Sequence, residues 1–294
     1  MEIEVLDGMP EIIPFGVENL AYKQMGNLMR SWMEVYNLEN KIPFFKVRAS
    51  TKDEAHVNEV SRGHFYLSFS DDETIVTPIV DYELIFEQNT SLLYPDGFAK
   101  NSIDDLTQKK QITANKVPCG FTGVRRKLET GKKLSIGTII GHIADIDIIN
   151  KRVDDIGKIS YIDEKREESN KLVKDITGDI YTKTSLKVFD AYCKQNYLDN
   201  ILRGGYPEIL DNEKEGFVYH IYSRKHGDLE RDYNFFSLAP EYYSQGNGNF
   251  RDVNQNRRSD IFFKPEIGEF NVWTFMSLVQ ADGYNPLSVR GTSF

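Results

Sequence analysis

Cysteine is scarce: Cys119 and Cys193 are the two in a chain of 294 residues. They are too few for a disulfide framework and too far apart for a zinc-ligand set, so a reduced, cytoplasmic setting is the expectation. Long apolar runs are missing too. No stretch reaches the roughly 18 apolar residues of a membrane-spanning helix, and the opening "MEIEVLDGMP" lacks the basic and apolar regions of a secretory signal. Positive charge is in deficit, the formal net charge being −9. Nucleic acid phosphates and anionic lipid both require a basic surface, so neither nucleic acid nor membrane is expected as a partner. His56, His64, His142, His220 and His226 are scattered without an H-E-x-x-H arrangement, and no protein metal site is expected.

What is present is globular in composition. Hydrophobic residues make up 40%, too many for a disordered chain, and the length allows one large domain or two smaller ones. Tyrosine and phenylalanine are plentiful; they suit carbohydrate stacking, and equally they fill cores.

The first residues alternate as a strand does (Ile3, Val5, then Asp7-Gly8) without a polar lead-in. Val17, Ala21, Leu28, Trp32 and Val35 are spaced along one helical face, weakened by Gly26 at its centre. "IPFFKVRAS", "GHFYLSF" and "YELIFEQ" read as short β-rich runs, and "YPDGFAKNS" as turn and loop. In "CGFTGVRRKLETGKKLSIGTIIGHI" two β-like runs flank "ETGKK", which predicts a hairpin. Charges dominate from Asp154 to Asn170, as on a solvated helix that stops near Gly178. Leu186, Phe189, Cys193, Tyr197 and Ile201 or Leu202 then mark a helical stripe ending at Gly204-Gly205, with Cys193 in the core. Val272, Phe275, Met276 and Val279 mark another before Asp282-Gly283. Between these two helices lies a long loop-rich run, which in a compact domain is functional or disordered; its aromatic "DYNFFSLAPEYYSQ" argues against disorder. Both ends read as cut from something larger.

Inside that run is "GNGNFRDVNQNRRSD", Gly246 to Asp260. Gly246 and Gly248 permit close approach of another chain or a ligand. Arg251 supplies a rigid fork of donors, Asp252 two acceptor oxygens, and Asn254, Gln255 and Asn256 each both a donor and an acceptor. Such groups match the vicinal hydroxyls of a pyranose, each of which donates and accepts. A loop whose Arg and Asp brace one another has the same composition, and that alternative stays open. The stretch is no P-loop, because no Gly-Lys-Ser/Thr follows, and it lacks the third glycine of a dinucleotide fingerprint. Arg125-Arg126 and Lys132-Lys133 could hold phosphate or simply be solvated.

At "GNGNFRDVNQ" the sequence resembles the inverting glycoside phosphorylases of the cellobiose, cellodextrin and chitobiose phosphorylase type, glycoside hydrolase family 94 and its β-glucan phosphorylase relatives. The residues that carry the likeness are Gly246, Gly248, Phe250, Arg251, Asp252 and Gln255, with "YLDNILRGGYPEI" upstream and "DGYNPLSVRGT" downstream. The chain departs from that pattern at Asn256, where a second Asp is usual, and at Arg257-Arg258, where an apolar pair often follows. The resemblance implies an α+β chain: an antiparallel β-sandwich over residues 1–150, a helical linker over 151–205, and the start of an (α/α)6 barrel over 206–294. It implies that Arg251 and Asp252, with Gln255 beside them, bind the donor-site glucosyl unit of a β-linked glucose disaccharide or oligosaccharide. No cofactor is implied beyond inorganic phosphate as co-substrate, and a homodimer is left open. The general acid of such an enzyme is not identifiable here, so the chain alone is expected to bind sugar weakly and to be inactive. The alternatives are a non-catalytic carbohydrate-binding or scaffold protein derived from the same architecture, and a hydrolase or transglycosylase built on it.

Overall fold

The computed structural model describes residues 1–50, 55–56, 58–210, 216–221 and 248–289. The chain is α+β, and its named strands pair antiparallel throughout. It divides into two compact units, Met1–Glu167 and Glu168–Phe294.

The first unit opens with β1 (Glu2–Met9), then two short helices, α1 (Asn19–Gln24) and α2 (Gly26–Arg30), and β2 (Met33–Tyr36). The single helix expected across this region is therefore broken. Met25 leaves helical geometry at φ −130°, ψ 41°, and Val35 belongs to a strand. Val17, Ala21 and Tyr22 pack against Met29, Met33 and Val117, while Leu28, on the same apparent stripe, is exposed. Strands β3 (Phe44–Val47), β4 (Gly63–Ser70) and β5 (Pro78–Ile79) follow.

"YELIFEQ" forms α3 (Tyr82–Phe86) in place of the expected strand. Asp81 caps it by accepting the Glu83 N–H, and Tyr82, Ile85 and Phe86, spaced i, i+3, i+4, all turn to the core. "YPDGFAKNS", read as loop, holds α4 (Asp96–Lys100), and α5 (Ile103–Gln108) comes directly after it. Ser102 and Asp105 make a reciprocal capping box on α5.

The expected hairpin does not form. Its two runs are β6 (Gly120–Lys127) and β7 (Ile136–Ile143), and they lie in different sheets, ordered β1-β6-β5 and β2-β3-β4-β7. β6 pairs with β1 from Lys127↔Glu2 to Gly120↔Met9, and β7 pairs with β4 from Ile143↔Gly63 to Ile136↔Ser70. The reason lies in burial. Gly120 to Val124 of β6 and Phe65 to Ser70 of β4 are buried at every position, so β6 takes the centre of one sheet and β4 an inner place in the other, where the less buried β7 pairs with it as an edge strand.

The layers follow from strand alternation. Val35, Phe45 and Tyr66 of the four-stranded sheet meet Ile12 and Val80 from the other side. Gly120 lies against Tyr66 so closely that a Cβ there would stand 3.1 Å from the Tyr66 ring. Phe44, Phe65, Leu67 and Phe69 point the other way, onto Ile149 and Ile156 of α6 (Ile146–Ile156) and onto Ile159 and Ile162 at the start of α7 (Ile159–Ile176). The outer face of the three-stranded sheet, with Ile79 and Phe121, is covered by Ile85, Phe86 and Leu106. Two facing sheets are thus enclosed by a helical layer on each side. Burying each of Phe44, Phe45, Leu67 and Phe69, which are at most 1% exposed, contributes about 1.5–3 kcal/mol. Arg125 pairs with Glu2 of β1 and Asp104 of α5, and Arg126 with Asp71 and Asp72 in the turn after β4, which ties β6 to a strand, a helix and a turn.

The second unit contains α8 (Lys187–Gly204), the hairpin strands β8 (Tyr206–Leu210) and β9 (Phe217–Ile221), β10 (Gly248–Asn249), α9 (Phe250–Arg257), α10 (Asp260–Phe263), α11 (Phe270–Ser277) and β11 (Ser288–Val289). The helices expected at α8 and α11 form, but their apolar stripes are only partly inside. Tyr197 and Phe275 are buried, whereas Leu186, Phe189, Val272, Met276 and Val279 are exposed, and Cys193, expected in the core, is half-buried. "DYNFFSLAPEYYSQ" lies outside the described residues, as do Gly246 and Asn247. Among the described residues no helix is long and apolar enough to cross a membrane.

Candidate functional site

The glycine-rich stretch is held from below. Gly248 and Asn249 pair with Val289 and Ser288, the Phe250 N–H donates to the Leu287 carbonyl at 3.2 Å, and α9 begins at once. Phe250 is buried and meets Phe275 of α11 edge to face, ring centroids 5.5 Å apart. That contact sets the phase of α9. With 100° per residue, Phe250, Val253 and Arg257 fall on the inner side, and Arg251, Asn254, Gln255 and Arg258 span an outer arc of about 100°.

All four outer residues are exposed. Together with Phe250 and Asn285 they line an open cleft of about 520 Å³. Two of the three residues expected at the site, Arg251 and Gln255, are therefore brought together one helical turn apart. The backbone of Asp252 belongs to α9, but its side chain lies outside the described residues.

The inner side holds a network that sequence reasoning missed. Arg257 is 4% exposed and Asp260 8%, low enough that each needs a partner. Arg257 Nη2 donates to the Gly205 carbonyl at 3.2 Å, and Arg257 Nε stands 3.3 Å from Asp260 Oδ2. The same carboxylate oxygen is 3.1 Å from His220 Nε2 and accepts from Asn271 Nδ2 at 3.0 Å. Asn271 also donates to the Arg257 carbonyl at 3.3 Å. Burial pushes His220 below the ordinary histidine value, the Asp260 hydrogen bond opposing and the Arg257 cation adding to the effect. His220 is accordingly neutral near pH 7 and donates Nε2–H to the carboxylate. The network joins β9, α9, α10, α11 and the residue after α8. The i, i+3 spacing of Arg257 and Asp260 was its one sequence signal; His220 reads as an ordinary strand residue until β9 pairs with β8.

Behind α9 a cavity of about 380 Å³ lies between α8 and α10. Tyr192, Asn196 and Asn200 of α8 and Phe263 of α10 form its walls, and Gln255 and Arg258 line it as well as the outer cleft. Tyr197 stacks obliquely on Phe263, ring centroids 4.7 Å apart, and its hydroxyl donates to Asp179 at 3.1 Å. Burial and the Asp179 carboxylate push its pKa up, so it stays a phenol. Among the described residues no three His, Cys, Asp or Glu side chains are grouped to hold a metal ion.

No family model matches the chain, and no curated protein matches it.

Proposed function

We propose that the chain is the sandwich and donor-sugar portion of an inverting glycoside phosphorylase acting on β-glucosides or β-glucan oligosaccharides, with α8 onward opening an (α/α)6 barrel. The observation that carries this reading is the outer arc of α9. Arg251, Asn254, Gln255 and Arg258 present two guanidinium forks and two amides to one open cleft, with a third amide from Asn285. Vicinal hydroxyls, each a donor and an acceptor, are the ligand groups that satisfy such a set without a net charge of their own.

In phosphorolysis a carboxylic acid protonates the leaving oxygen while phosphate attacks the anomeric carbon from the opposite face. Arg251 and Gln255 would hold the glucosyl ring for that attack, with Asp252 beside them. The general acid is assigned to no residue of this chain.

Calorimetric titration of the chain with glucose and cellobiose tests the binding step. Binding is expected, and Arg251→Ala is expected to weaken it by about 1.5–3 kcal/mol, the usual contribution of a hydrogen bond to a charged group. An Arg251→Ala variant that binds glucose as well as the parent removes the assignment. Release of glucose 1-phosphate from cellobiose and phosphate by any longer form of the protein separates the enzyme from the binder.

A further inference from the structure

Among the described residues the two sheets of the first unit have four edge strands, β1, β5, β2 and β7, and three of them are guarded. The Val35 N–H of β2 donates to the Thr113 carbonyl, and its Met33 carbonyl accepts the Asn115 N–H. At β5 the Gln111 side chain accepts the Val80 N–H and donates to the Pro78 carbonyl. β1 carries Glu2, Glu4 and Asp7, and charges along an edge keep a further strand away. β7 has none of these guards. Its sequence, "IGTIIGHI", holds no Lys, Arg, Asp, Glu or Pro, and Ile140 near its middle is 53% exposed.

The backbone of β7 is satisfied on one side. The Tyr66 N–H donates to the Pro43 carbonyl, and the Ser68 carbonyl accepts the Val76 N–H, so these positions of β4 look away from β7. Phe65, Leu67 and Phe69 therefore bond across the ladder to Gly141, Ile139 and Gly137. By the same alternation the N–H and C=O groups of Ile136, Thr138, Ile140 and His142 point to the open side, and among the described residues none of them has a backbone partner there. A strand laid along that side would satisfy them.

The charges beside β7 select the occupant. Lys132 and Lys133 stand just before the strand, Asp145 and Asp147 just after it, and all four are exposed. A second β7 laid antiparallel brings the lysines of each copy to the aspartates of the other at both ends, whereas a parallel one would set like charges together. A two-fold axis at Ile140 also places the two exposed isoleucines opposite one another, the self-complementary arrangement that a symmetric pair requires. We infer that β7 is the docking edge for a second copy of this chain, paired antiparallel about Ile140 so that the four-stranded sheets of the two copies run on as one. The pairing is independent of the sugar reading of the cleft.

Sedimentation velocity on the full 294-residue chain tests it. The parent is expected to be a dimer at micromolar concentration. Ile140→Lys sets two cations opposite each other on the axis and is expected to weaken dimerisation by at least about 10-fold. Lys133→Glu and Asp147→Lys should each weaken it, and the two changes together should restore it, because exchanging the charges rebuilds both ends. Thermal melts check that the variants fold. Hydrogen exchange on the parent needs no variant: the Thr138 and Ile140 amides should exchange at least about 10-fold more slowly in the dimer than after dilution to monomer. A monomeric parent, a dimer that survives Ile140→Lys, or Thr138 and Ile140 amides that exchange equally at both concentrations overturns the proposal. A double charge exchange that leaves the dimer as weak as the single variants do overturns the antiparallel register.

Discussion

His64 and His142 stand directly opposite one another on β4 and β7, ring centroids 5.2 Å apart, with Phe15 edge-on to the first and tilted over the second at 4.7 Å. Burial holds both imidazoles below the ordinary value of 6.5, with the charge of His142 adding to the effect at His64 and that of Arg62 at His142. A depressed folded pKa means that the unfolded chain takes up the proton first. The stability these groups contribute is complete above pH 6.5 and is lost as the pH falls from there through the folded values. Urea unfolding of the first unit at about pH 7.5 and 5.5 should show the loss, and His142→Phe should reduce the difference between the two conditions. An identical pH difference in parent and variant would show that His142 takes up its proton equally in the folded and unfolded states.

Asp260 holds hydrogen bonds with His220 and Asn271 and pairs with the Arg257 cation in a buried place, so its removal strands all three. Asp260→Ala is expected to destabilise the second unit by about 3–5 kcal/mol, because the Arg257 cation keeps its burial and loses its counter-charge. The double change Arg257→Met with Asp260→Leu should cost less than Asp260→Ala alone, since it removes both charges together. Denaturant midpoints of the three proteins check the order; a double variant less stable than the single would contradict it.

Asp81 plays the corresponding part in the first unit. It is 2% exposed, caps α3 through the Glu83 N–H, accepts the Ile112 N–H at 2.9 Å and pairs with Lys116. Glu83 also pairs with Lys116, at 3.2 Å, but its side chain is 54% exposed. Asp81→Ala should therefore cost about 3–5 kcal/mol and Glu83→Ala less than about 1 kcal/mol. Equal effects in chemical denaturation would place the stabilisation in the charge pair alone and not in the cap and its burial.

Gly120 tests the approach of the two sheets. An added Cβ would stand 2.6 Å from Ile12 Cδ1 as well as 3.1 Å from Tyr66, and Gly120→Ala should destabilise by about 1–3 kcal/mol through overpacking. Gly26 has nothing within 4 Å of its Cβ position, and Gly26→Ala should stabilise α2 by up to about 1 kcal/mol. Thermal unfolding of the pair gives shifts of opposite sign if the sheet contact is as close as described.

Much of the local structure was legible in the residues themselves. The runs "IPFFKVRAS" and "GHFYLSF" give β3 and β4, and the stripes around Tyr197 and Phe275 give α8 and α11, because alternation and 3.6-residue spacing need no tertiary information. Helix α3 was misread since β-rich composition outweighed the i, i+3, i+4 positions of Tyr82, Ile85 and Phe86. The capping box of Ser102 and Asp105 begins at the last residue of the run read as loop, "YPDGFAKNS", and closes just beyond it.

At the candidate site, Arg251 and Gln255 were named by residue type, and helical phase explains why they share a face. Arg257 was noted only as a departure from a pattern. Its role depends on Gly205, His220, Asp260 and Asn271, four residues spread over 67 positions of the chain, and no local spacing encodes such a meeting.

Residue order alone determined the strand and helix periods, the acidic balance and the polar character of the stretch after Gly248, because these are properties of neighbours along the chain. The tertiary structure decided that β6 and β7 belong to separate sheets and that Arg257 turns inward while Arg258 turns out. Both outcomes depend on which distant surfaces offer apolar cover: a strand apolar on two faces takes the place with two layers, and a helix rotates until its one large aromatic, Phe250, is buried against Phe275.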